Sequence, residues 1–165
     1  MNRNTRLAQE TGFTLLEGML ASVIVTVGLL TLAGMQGISF GRNVDANELT
    51  QATNLAADIM ERIQYNRKNA LAYNAIDTSL ACTQSATTQP MARGDCDQWK
   101  NLLASSYGAG LSGVRGQVSV ATTGPTTPTL NQSLVTVTLT WTGTASASKV
   151  ARSRTVTLAN VIAPE

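Results

Sequence analysis

Positions 13–41 are apolar almost without a break, and beyond them the apolar residues become spaced. Between Glu17 and Arg42 lie 24 residues with no charge, and about 20 apolar residues let a helix cross the hydrocarbon core of a bilayer. A core helix of that length with no polar stripe does not suit so small a chain, so the run is read as a membrane span. Further on, Leu49, Ala52, Ala56, Ile59 and Ile63 recur at spacings of three and four, as one face of an amphipathic helix does. Together the two patterns predict one long helix from Phe13 to the region of Tyr73. Gly34, Gly37 and Gly41 lie near the join. Each lowers helix propensity by about 1 kcal/mol relative to alanine, so the helix is expected to bend or melt there, unless the glycines serve close packing between membrane helices.

Downstream the period changes. DQWKNLLASSY, from Asp97 to Tyr107, predicts a short helix with Trp99, Leu102 and Leu103 on its apolar side. Val114 to Thr122 alternates through Val118 and Val120. SLVTVTLTWT, Ser133 to Thr142, puts Val135, Val137, Leu139 and Trp141 on one face and threonines on the other, the period-two pattern of a half-buried strand. Val156, Leu158, Asn160 and Ile162 continue a third strand. GPTTPTLNQ and GTASASK are turn-rich connections of the kind antiparallel neighbours use. A sheet with one apolar face needs a cover, and the amphipathic half of the long helix is the available one. The expected fold is α+β: a long N-terminal helix, its first half transmembrane, packed on a small antiparallel sheet of three or four strands.

Composition narrows the chemistry. The 165 residues make one domain with its own core, and a net charge of +2 gives no bulk attraction to nucleic acid. Charged residues are 13% of the chain, against about 25% in ordinary soluble domains. There is no histidine, which removes Ser-His-Asp and Cys-His catalysis and the commonest zinc ligand. With two cysteines, a four-cysteine zinc site is excluded by count, and so is a CxxC pair by spacing. No catalytic residue, metal site or cofactor is expected.

The residues before the apolar run carry Arg3 and Arg6 against Glu10, so the N-terminus is expected on the cytoplasmic side and the remainder outside. Cys82 and Cys96, enclosing the polar loop TQSATTQPMARGD, would then lie in an oxidising compartment. A bridge between them contributes about 3 kcal/mol in the chain-entropy model; two free thiols are the alternative. A secretory signal would have its small-residue cleavage site after a shorter apolar stretch. Here the small-residue step, Gly12-Phe13, comes before it, so cutting there leaves the apolar helix on the mature protein.

Gly12-Phe13-Thr14-Leu15-Leu16-Glu17 resembles the processing site of type IV prepilins and pseudopilins. Val27 to Gln36 and Asn54 to Ile63, with Asn66 following, resemble PilV-type minor pilins in particular. The likeness covers about the first 70 residues; Gly18 departs from it, standing where these proteins carry a larger apolar residue. The resemblance implies a leader (1–12) removed by a prepilin peptidase and methyltransferase, with N-methylation at Phe13. It also implies an assembly helix (13–41) and an exported head (42–165). Partners would be major and minor pilins and the inner membrane assembly platform. The protein would sit in the bacterial inner membrane before assembly and in the surface pilus after it, as a structural subunit rather than an enzyme. A type II secretion pseudopilin, or a single-pass membrane protein with an exported binding domain, are the alternatives.

Glu17 is the residue that needs a partner, because a carboxylate in a membrane helix costs a few kcal/mol by insertion scales. Arg42 is 25 residues away, about 37 Å along a helix. Processing would create an ammonium at Phe13, and pilin resemblance implies that it meets the Glu17 of a neighbouring subunit. The remaining charges read more plainly. Asp58 and Arg62 form a solvated i,i+4 pair. Asp95 and Asp97 are solvated loop carboxylates, since calcium wants six to eight oxygen ligands and no acid follows before Glu165. Lys149, Arg152 and Arg154 lack the interleaved aromatics of a nucleic-acid site and are expected on a solvated strand face that discourages edge pairing.

Overall fold

The structure is a computed structural model that describes residues 13–105, 111–122, 132–144 and 151–163. Helix α1 is continuous over Leu15–Tyr65. Helical bonding runs through Gly34, Gly37 and Gly41, so the expected melting does not occur. Isolated glycines weaken a long helix without outweighing the cooperativity of propagation. The helix stops at Asn66 instead of Tyr73, and a 3-10 segment, Arg67–Tyr73, follows. Asn66 competes with the helix for its own bonds: its side-chain oxygen accepts from Asn69 at 3.0 Å, and its amide donates to the Tyr73 hydroxyl at 3.2 Å.

The chain divides into two compact units, with the boundary between Phe40 and Gly41. In the first, the apolar side chains from Phe13 to Phe40 are exposed. Mean hydropathy reaches 2.1 in this helix, long and apolar enough to cross a membrane. Three of its hydroxyls are turned back onto the helix: Ser22, Thr26 and Thr31 donate to the carbonyls of Met19, Ser22 and Val27 at 2.8, 2.6 and 2.8 Å. Each of these three hydroxyls thereby has an acceptor without water.

The second unit is helix on sheet. Strands β1 (Ile76–Asp77), β2 (Ser112–Thr122), β3 (Ser133–Thr144) and β4 (Ala151–Ile162) form one antiparallel sheet in that order. β1 is a two-residue strand that no alternation announced. In β3 the predicted alternation holds: Val135, Val137, Leu139 and Trp141 are buried. Val135, Val137 and Leu139 pack with Val118 and Val120 against Ala56, Ile59 and Ile63 of α1, while Trp141 packs with Ala52 of α1 and Leu111. In β4, Ile162 is buried and Val156 and Leu158 are half-buried, while Asn160 is exposed. On α1 the core face runs through Glu48 rather than Leu49, which is 49% exposed.

Helix α2 covers Pro90–Ser105, beginning seven residues before the predicted start at Asp97. The stretch QPMARGD, expected as loop, is mostly helix. Pro90 stands first in it, where a missing N–H costs nothing, and Ala92, Cys96, Trp99 and Leu103 form a buried stripe at spacings of four, three and four. Leu102, assigned to that stripe from sequence, is exposed. Gly116 on β2 makes the close approach of α2 possible. A Cβ there would lie 2.7 Å from Trp99 Cζ3 and 2.9 Å from Leu103 Cδ1. Trp99 in turn donates its indole N–H to the Leu55 carbonyl of α1 at 2.8 Å.

Candidate functional site

The sequence places its candidate functional residues at the start of α1. Gly12 lies outside the described residues. Thr14 caps the helix: its carbonyl accepts the Glu17 and Gly18 amides at 3.0 and 3.2 Å, and its hydroxyl accepts the Glu17 amide at 3.3 Å. Thr14-Leu15-Leu16-Glu17 thus has the spacing of a capping box, and Glu17 is the acid of the first turn, where the helix dipole favours negative charge. Its carboxylate is exposed and, among the described residues, no basic side chain forms an ion pair with it. Phe13 is 72% exposed. Its ring passes over Gly18, where an added Cβ would lie 3.6 Å from Phe13 Cε1. That distance is an ordinary van der Waals contact, so the Phe13 ring does not exclude a larger residue at position 18.

The two cysteines are joined. Cys82 and Cys96 form a disulfide with Cα atoms 6.1 Å apart, tying the segment after β1 to α2. Arg93 reinforces the same junction, donating to the Cys82 carbonyl at 2.7 Å.

Three charge expectations are corrected. Arg62 does pair with Asp58 at 3.0 Å, but it also reaches α2, contacting Asp95 at 3.3 Å and Gln98 at 2.6 Å. Asp95 and Asp97 lie on α2, not in a loop. Asp95 accepts the Tyr73 hydroxyl at 2.6 Å, and Asp97 pairs with Arg93 at 2.9 Å. Burial and the bond to Asp95 push the Tyr73 phenol well above its usual range. Arg154 is the third correction. It reaches α1, with Asp45 at 2.8 Å and Glu48 at 3.9 Å.

That last cluster escaped sequence reasoning. Glu48 is 2% exposed; Trp141 donates its indole N–H to Glu48 Oε2 at 3.2 Å, and among the described residues Oε1 has no hydrogen-bond partner. Gly143 leaves the space: a Cβ there would lie 2.7 Å from both Arg154 Cδ and Glu48 Oε2. The available signal was a carboxylate at position 48, in phase with Ala52 and Ala56, and an arginine in phase with Val156. On the sheet's other side Arg115 bonds Asp77, whose carboxyl also accepts from Ser79 and Gln117 and is held well below the usual carboxylate range, chiefly by Arg115. Compared with family models, curated proteins and solved structures, the chain matches none.

Proposed function

We propose that the chain is a structural subunit of a type IV pilus, a minor pilin. It is cut between Gly12 and Phe13, methylated at Phe13, held in the inner membrane, and incorporated into the pilus or its priming tip complex. One observation carries the reading: an uncovered apolar segment has a single charge, Glu17, in the first turn of the helix that also packs against the sheet of the head. Such a segment needs lipid or other helices around it, and a carboxylate held there needs a cation. Cleavage supplies one at Phe13. In a bundle of such helices the ammonium of one subunit meets Glu17 of the next, fixing axial register.

Glu17→Ala tests this pairing. The variant is expected to be processed normally while its amount in sheared filaments falls about tenfold, the loss that one charged hydrogen bond of about 1.4 kcal/mol represents. Incorporation at the wild-type level would remove the pairing from the account.

A further inference from the structure

Strand β4 ends the sheet, and among the described residues no strand pairs with its outer edge. It pairs with β3 along its whole length, from Ile162 opposite Ser133 to Ala151 opposite Thr144, with no shift of register. Natural edges of this length carry a guard: a lysine, a proline, a bulge or an inward charge. Residues 155–162, TVTLANVI, contain no charge and no proline. The nearest charge, Arg154, is drawn onto Asp45 and Glu48 of α1 and neutralised there.

We propose that this edge docks the β4 strand of a second copy of the chain, antiparallel and centred on Leu158. In that register Leu158 faces itself, Val156 faces Asn160, Thr157 faces Ala159 and Arg154 faces Ile162, so no like charges meet. Arg152, at the start of β4, is exposed but falls opposite no charge in this register, and residues 155–162 carry nothing that would select an acidic or basic partner. The edge is self-complementary, as a two-fold contact must be. A strand addition of this size buries less than the ~1,200 Å² of a stable complex, and is weak between free molecules. The copies, however, each have an apolar segment long enough to cross a membrane. Confinement to one membrane raises their effective concentration into the range of about 1 mM, which favours a second copy over a passing protein. The contact requires only the head and the anchor, so it does not rest on the pilus reading.

The test is oxidative cross-linking of the full chain in membranes from cells without a prepilin peptidase. Leu158→Cys is expected to give a disulfide-linked species of twice the monomer mass, because directly opposed residues have Cβ atoms about 5 Å apart. Ser119→Cys, on β2, should give about tenfold less, as it does not lie at the contact. Adding Thr157→Lys and Ala159→Lys to Leu158→Cys opposes like charges twice and should lower the dimer yield about tenfold. Leu158 is half-buried, so mixed copies with Thr157→Cys and Ala159→Cys, both exposed, provide an independent pair. Absence of dimer at both sites overturns the proposal. So do equal yields at Ser119, or a cross-link to a protein of different mass in place of the dimer.

Discussion

Arg154→Met removes the cation from a carboxylate that the head has buried. Glu48 is 2% exposed, and among the described residues its Oε1 has no hydrogen-bond partner. Breaking a buried pair by removing one partner costs about 3–5 kcal/mol. Here the pair separation is 3.9 Å and 25% of the Arg154 side chain is exposed, which places the cost near the lower end, at about 3 kcal/mol. The lost contact to Asp45, 40% exposed, adds less than about 1 kcal/mol. Methionine keeps much of the aliphatic stem, so lost packing contributes little. The assay is guanidinium unfolding of the full chain in detergent, followed by near-UV circular dichroism of Trp99 and Trp141. Adding Glu48→Gln keeps an acceptor for the Trp141 N–H while removing the orphaned charge, and should recover about 2 of the 3 kcal/mol. A change below about 0.5 kcal/mol for Arg154→Met would refute the reasoning, because it would mean that Glu48 does not need its cation. So would a double variant no more stable than the single one.

Other outcomes follow from the same structure. Replacing Cys82 and Cys96 together by serine should cost about 3 kcal/mol, read as a lower denaturation midpoint. Gly116→Ala drives a methyl into the Trp99 ring and should destabilise by about 1–3 kcal/mol. Gly94→Ala, in open space on α2, should instead stabilise by about 1 kcal/mol. Asp77 has a carboxyl depressed by Arg115, so its contribution is complete above the unfolded value of about 3.9. It is lost as pH falls through the depressed folded value. An acid titration of unfolding should therefore show less loss below pH of about 4 in Arg115→Met than in the wild type.

Legibility followed how local the cause was. β3 could be read because its alternation is complete over eight residues and one face is fully buried. The apolar half of α1 could be read because lipid-crossing length is a property of the run itself. The early start of α2 was hidden by Pro90 and Gly94, which mark loops in most contexts but here stand at the first helical position and on an open face. The end of α1 at Asn66 depends on Tyr73 and Asn69, which lie on the far side of the break. Glu48 and Arg154 are 106 residues apart in sequence. Each is a surface residue by type, and only the register of β4 against β3 and the helix brings them together. At the candidate site, Thr14 as the helix cap was present in the spacing to Glu17, whereas nothing in the structure requires glycine at position 18, where an added Cβ would make only an ordinary contact with the Phe13 ring.

The central claim, that the apolar helix is retained and freed at its N-terminus, is tested most directly by the intact mass of the protein from cells with and without a prepilin peptidase. The account predicts that residues 1–12 are missing and one methyl group is gained only when the enzyme is present. The same mass in both cells would contradict it.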